Sequence, residues 1–415
     1  MKNTDIRSFD LTQRTIFGLL TQTLFGAAYT PEPDVDWTQV YLESENQAVR
    51  LQTFANHHLI PGIPDALRED IRRYLAAAML RDARLHAEHT YVHTLLTRQG
   101  IPYSILKGAS SACFYPDPLT RVMGDVDFFV GREDFDRALQ LFTEEGFSVS
   151  GQDHICHVVL RKKRIHLEMH FEPAGVPDGE VGEKIRFYLS DLRQRATLLK
   201  NRLTTCLRPS DFHHGLIMLM HLQHHLLAEG IGLRHLCDWA VFVNHFHPDE
   251  FRETFEEKLK AVGLWHLARL LSLSAVLYIG LPEQDWMRED SEDELTARQL
   301  MVDIVAGGNF GKKDRQRAYE GMFISNRGKD GISHNRAKAG FRALNRITRV
   351  KCPFTRKLPV LLPIGWVAVL VGYLFRNHER NQTKGKVSAA DAYQKSAVRQ
   401  QLYRKLRLYE PELPQ

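Results

Sequence analysis

Apolar and polar positions alternate with one period over the first hundred residues, another over the next seventy, and the first again beyond about 180. Residues 1–99 carry apolar side chains at helical spacing, most plainly in "DALREDIRRYLAAAMLRDARLHAEHTYVHTLLTRQG", which ends on Gly100 at a C′ position. Then "IPYSIL" (101–106) and "DVDFFV" (125–130) read as short strands on either side of a turn at Gly108. "REDFDRALQLFTEEG" places Phe135, Ala138, Leu139 and Phe142 on one helical face, with Gly146 closing it. "FSVSG", "HICHVVLRKK" and "RIHLEMHF" read as strands, the last two as a hairpin. Residues 180–305 are helical again and rich in histidine, and 306–350 read as a Gly-rich basic loop followed by a helix.

This pattern predicts an α+β protein with a small mixed sheet flanked by helical regions. The expected divisions are an N-terminal helical region (1–99), an α/β core (100–175), a helical domain (176–305) and a basic C-terminal region (306–415) with an apolar helix. "LPVLLPIGWVAVLVGYLF" (358–375) is eighteen residues long, contains two prolines and two glycines, and has basic residues on both sides. It reads first as a buried helix, then as an attachment to an anionic membrane surface, and last as a span, so no transmembrane segment is expected.

Composition adds little to this: 43% hydrophobic and 25% charged residues are ordinary for a globular chain. The five cysteines are scattered with no CxxC pair, which gives neither a disulfide framework nor a zinc site. The N-terminus lacks the unbroken apolar run of a secretory signal and reads as an amphipathic helix, so a cytoplasmic location is expected, with membrane association as a variant. Charge changes the picture more. Residues 312–408 hold 23 Lys/Arg against 5 Asp/Glu, a local excess of +18 within a chain of net charge +5. That asymmetry suggests either an anionic partner, nucleic acid or membrane, or a solvated basic face.

The chemistry concentrates in the α/β core. Side chains alternate across a strand, so Asp125 and Asp127 share one face while Val126, Phe128 and Val130 take the other. Two neighbouring carboxylates repel unless protonated or bridged by a cation, and oxygen-only ligands suit Mg²⁺ or Mn²⁺. The structural alternative is that both sit near a strand end and cap it or pair with Arg121. In "RIHLEMHF", Glu168 also emerges opposite an apolar face, between His166 and His170. If the two strands are neighbours, three carboxylates converge in the manner of sites that hold two metal ions about 3.5–4 Å apart for phosphoryl or nucleotidyl transfer. HxExH on a strand does not present the paired histidines of a zinc-protease helix, and His166 and His170 read equally well as a solvated strand face. "LKGASS" supplies a strand, Gly108 and a short helix whose N–H groups could cradle phosphate, with Ser110, Ser111 and Lys107 alongside.

The order strand–KG–helix, R-x3-D-x-D, helix, then a strand bearing "LEMH" resembles the nucleotidyltransferase superfamily, and more narrowly the bacterial group labelled uncharacterised nucleotidyltransferase. The resemblance covers roughly residues 100–172. It extends more weakly to "DWTQVYLESENQAVRLQTFANHHLIPGIPDAL" and to "IGLRHLCDWAVFV", which contains Arg234 and Asp238. It implies that Gly108 and Ser110 hold nucleotide phosphates, that Asp125 and Asp127 bind Mg²⁺, and that Glu168 completes the metal site and helps deprotonate the acceptor. Two features depart from the superfamily: its usual Gly-Ser pair is Lys107-Gly108 here, and Gly108 lies further from the DxD than in compact members.

Two functions of different class follow. One is an Mg²⁺-dependent nucleotidyltransferase moving a nucleoside monophosphate from an NTP to an acceptor, which could be a small molecule, glycan precursor, protein or RNA. The other is a non-catalytic scaffold on the same fold that binds RNA or a membrane through its basic C-terminal region. Weaker signals surround them. "HHGLIMLMHLQHHLLAEG" puts His221 on a helical face with His224 or His225, but no third metal ligand falls at matching spacing, so the cluster reads as satisfied or solvated. Arg234 and Asp238, four apart, read as a salt bridge, with Arg234 reaching a triphosphate as the alternative; His170 is a further candidate for substrate contact. "AGGNFGKK" (306–313) lacks the spacing of a P-loop and reads as a flexible connection.

Overall fold

A computed structural model describes residues 9–151 and 156–314, and beyond them 317, 344–345, 348–349, 352, 355, 358–369 and 399–412. Four helices come first: α1 (Leu11–Phe25), α2 (Trp37–Asn46), α3 (Arg50–Phe54) and the long α4 (Asp65–Arg98). The side chain of Asp10 caps α1 and that of Asp36 caps α2, each accepting backbone N–H groups of its first turn. α4 stops where Gly100 takes a positive φ of 61°.

The sheet follows as β1 (Ser104–Ile105), a single helical turn α5 (Ala109–Ala112), β2 (Val126–Phe129), α6 (Phe135–Glu144), β3 (Ser148–Ser150), β4 (His157–Lys162) and β5 (Ile165–His170). Its five strands lie in the order β1-β2-β5-β4-β3. Only the β2–β5 pair is parallel, so the sheet is mixed and helices flank it in the chain, as the sequence pattern predicts. Val126, Phe128, Leu167 and Met169 are fully buried on one face against Phe142 of α6, and that burial fixes which face the carboxylates take.

Beyond the sheet lie α7 (Glu180–Leu189), a hairpin of β6 (Thr197–Lys200) and β7 (Thr205–Arg208), and then α8 (Asp211–Leu227), α9 (Leu233–Val243), α10 (Pro248–Ala261), α11 (Trp265–Ile279) and α12 (Asp293–Gly307). The hairpin is a departure from the purely helical pattern expected for this stretch. Its turn is held by Asn201, whose Oδ1 accepts the N–H groups of Leu203 and Thr204.

Two apolar cores result. One joins α1–α3 and the first half of α4 to α8–α12. The other joins the second half of α4 to the sheet, α6 and the β6–β7 hairpin. In the stretch expected to be a buried helix, residues 370–375 lie outside the described residues. In the described part Leu358, Val360, Ile364 and Val367 are exposed, so burial does not hold there. No helix among the described residues is long and apolar enough to cross a membrane.

Candidate active site

The parallel register sets Asp127 directly beside Glu168, because β2 and β5 pair Val126 with Leu167 and Asp127 with Glu168. Asp125 stands two positions before Asp127, just ahead of β2, so the three carboxylates gather at the β2–β5 pair inside the sheet. All three line a single cavity of about 390 Å³ between the sheet and helices α8 and α9. Lys107, Gly108, Ser111, Arg121 and Arg234 line it too.

The carboxylates are not equivalent. Burial, together with the charges of Asp127 and Glu168, pushes Asp125 up to about 6. Burial alone would raise Asp127 as well, but Lys107 at 3.2 Å and His170 at 3.1 Å outweigh it and hold the carboxyl well below its ordinary range. The hydrogen bond from His170 likewise lowers Glu168. Burial lowers the pKa of His170, yet Asp127 and Glu168 raise it overall.

His170 was a candidate for substrate contact; here it is buried and bonded to Asp127 instead. The hairpin register adds a residue the sequence reading missed. The Lys163-Arg164 turn pairs Lys162 with Ile165, and the same register carries His157 opposite His170. The ligand atoms of His157, Glu168 and His170 all lie within 4.8 Å of one another, the group of three among the described residues with such spacing. Glu168 thus belongs to a His–Glu–His group and also lines the cavity with Asp125 and Asp127, whose ligand atoms do not all fall within that spacing.

The LKGASS turn differs in detail from a phosphate cradle. The N–H of Ala109 is donated to His89 Nε2, that of Ser110 to the Lys107 carbonyl, and that of Ser111 to the Gly108 carbonyl. Ser110 is fully buried and its hydroxyl donates to the Ile105 carbonyl, so it faces the sheet rather than the cavity. Gly108 itself has φ +64°, and a Cβ there would meet His89 Nε2 at 2.6 Å. No other residue fits that corner without displacing His89. Burial lowers His89 to about 4, and Nδ1 lies 2.6 Å from the Leu85 carbonyl, so the neutral ring donates there and accepts from Ala109.

Arg121 takes the pairing that spacing suggested for Arg234. Asp238 pairs with Arg121, through Nε and Nη2 at 2.8 Å each, rather than with Arg234 four residues away. Arg121 also reaches the Gly108 carbonyl at 3.4 Å, so it braces the turn at the cavity wall. Arg234 is left with a buried Nε that has no hydrogen-bond partner. Burial and the nearby Arg121 charge lower its pKa. An unpartnered guanidinium N–H facing a cavity is a donor looking for an anion.

A family model described as uncharacterised nucleotidyltransferase matches residues 33–280, more than half of the chain. The chain belongs to this family. The match spans the carboxylates, the LKGASS turn, α8 and α9, which supports nucleotidyl transfer as the general chemistry of this uncharacterised nucleotidyltransferase. No curated protein and no solved structure matches it.

Proposed function

We propose that this family member is a metal-dependent enzyme that transfers a nucleoside monophosphate from an NTP to a nucleophilic acceptor and releases pyrophosphate. The observation that carries the reading is the register that sets Asp127 beside Glu168, with Asp125 adjacent, in one cavity with Lys107 and Arg234. The donor set fits a divalent cation, Mg²⁺ or Mn²⁺. Three crowded carboxylates raise the pKa of Asp125, and a cation between them relieves that repulsion. When bound, the metal supplies charge neutralisation for the phosphates and orients the acceptor oxygen.

The residues of the chain divide the remaining work. Asp125, Asp127 and Glu168 hold the cation. Lys107 and Arg234 take phosphate oxygens, and Gly108 allows the close packing of His89 that holds the turn beside them. The acceptor oxygen attacks the α-phosphorus, the bond to the bridging oxygen of pyrophosphate breaks, and the acceptor proton passes to Glu168. Of the two carboxylates in direct contact with His170, Glu168 is the more exposed, which suits it to meet an incoming acceptor. In this role the basic C-terminal region serves acceptor or surface binding, not the chemistry.

Incubation of the purified protein with α-labelled NTPs, Mg²⁺ or Mn²⁺ and cell extract tests the reading. The expected result is a labelled acceptor with wild type and none with Asp125→Asn. Label transfer that survives Asp125→Asn would sink it.

A further inference from the structure

We propose that the cavity wall formed by His221, His225, His235 and Phe310 holds the heterocyclic base of the nucleoside triphosphate. The inference rests on the nucleotidyltransferase reading and says where in the cavity the two ends of the substrate lie.

The wall is built by helix periodicity. His214, Ile217, Met218, His221, Leu222 and His225 recur at three- and four-residue steps along α8, and all six line the cavity. His235 joins them from α9 and Phe310 from the turn after α12. Ring centroids of His221 and His225 are 4.4 Å apart, and those of His225 and His235 6.1 Å. The Phe310 ring sits 4.6 Å from His225 and 5.1 Å from His235.

Three details favour a base over phosphate or acceptor. First, burial drives His221 and His235 far below the ordinary histidine value, so these rings offer flat faces and single donors and acceptors rather than charge. Second, His235 Nδ1 accepts the Gly232 N–H at 3.3 Å, which leaves the proton on Nε2. That Nε2 is buried in the cavity wall with no partner, a donor suited to a ring nitrogen or carbonyl oxygen. Third, the Arg234 guanidinium carbon lies 5.5 Å over the Phe310 ring. A phosphate held at Arg234 therefore places the rest of the same molecule within reach of the rings.

Phe310 shows the same purpose in its backbone. It has φ 53°, in the left-handed region that a bulky residue avoids, between Gly308 and Gly311 at φ 67° and 65°. It is 39% exposed at the cavity rim rather than packed in either core. The Gly-rich AGGNFGKK stretch is thus a clamp that presents one aromatic ring, where the sequence suggested only a connection.

Calorimetry on the full chain with Mg²⁺ tests the assignment, using the four NTPs and inorganic tripolyphosphate as probes. The preferred NTP should bind wild type more tightly than tripolyphosphate does. Phe310→Ala should weaken that NTP by about tenfold while leaving tripolyphosphate unchanged, and Phe310→Tyr should restore it. Equal losses for both probes, or no loss for either, would overturn the base assignment and leave the nucleotidyltransferase reading standing. Wild type that binds neither probe would overturn both.

Discussion

Asp238 on α9 accepts two hydrogen bonds of 2.8 Å from Arg121, a residue 117 positions earlier in the chain, and a third of 2.7 Å from Tyr115. All three side chains are buried, and together they tie the loop before β2 to the helical layer. Burial would raise Asp238, but Arg121 more than offsets it and holds the carboxylate ionised. Asp238→Ala leaves an uncompensated guanidinium in the interior and should cost about 3–5 kcal/mol by urea unfolding. The double variant Arg121→Met/Asp238→Leu should recover most of that loss. A single variant within about 1 kcal/mol of wild type would show that the pair is not a structural brace.

Arg234 is the converse case, a buried guanidinium whose Nε has no partner. Arg234→Met should raise the melting temperature, because it removes an incompletely satisfied cation lying close to Arg121. It should also weaken NTP binding by about tenfold or more, since a charge-assisted contact is lost. Stability and affinity moving in the same direction would contradict a phosphate-binding role for this residue.

Asp82 gives a pH signature away from the carboxylate cluster. Burial raises it from 3.8 to about 6, with Arg81, the Met123 N–H and Arg121 in partial compensation. The folded protein therefore binds this proton more tightly than the unfolded chain does. Its contribution to stability is fully present below pH 3.8 and is lost as pH rises to about 6. Asp82→Asn should remove the penalty, stabilising the protein at pH 7.5 by about 2–3 kcal/mol and by little at pH 4. Unfolding curves at the two pH values check it, and an equal effect at both would be the contrary outcome.

The His157–Glu168–His170 set should favour Zn²⁺, as imidazole ligands do, while the carboxylate set favours Mg²⁺ or Mn²⁺. His157→Ala should weaken Zn²⁺ binding at least about tenfold in calorimetry and leave Mg²⁺ affinity unchanged. Because both sets use Glu168, Zn²⁺ and Mg²⁺ should also compete in wild type. Independent binding of the two ions would show that the sets are not joined.

The sequence pattern located what depends on local periodicity. The strand bearing Asp125 and Asp127, the strand bearing Glu168 and the helix between them were all legible, because alternation and helical spacing report burial directly. Three features were not. His157 meets His170 through the register of the predicted hairpin, whose turn has Lys163 at φ 54° in place of the usual glycine or asparagine, so no turn signal fixed which residues pair. The Arg121–Asp238 pair spans two segments that no local pattern relates, whereas Arg234 at i−4 offered a nearer and wrong partner. Of the N–H groups expected to be free at the Gly108 turn, that of Ala109 is bonded to His89, twenty residues earlier, and those of Ser110 and Ser111 to carbonyls of the turn itself.

Helix α4 belongs to both cores: Ile71, Leu75 and Ala78 pack with the helical layer, and Leu85, Val92, Leu95 and Leu96 with the sheet. It is one unbroken element of 34 residues, roughly 50 Å long. The sheet that carries the carboxylates and the helices that carry the rings are therefore mounted on a common beam. The spacing between them is thus set by one continuous helix and not by two separately supported layers.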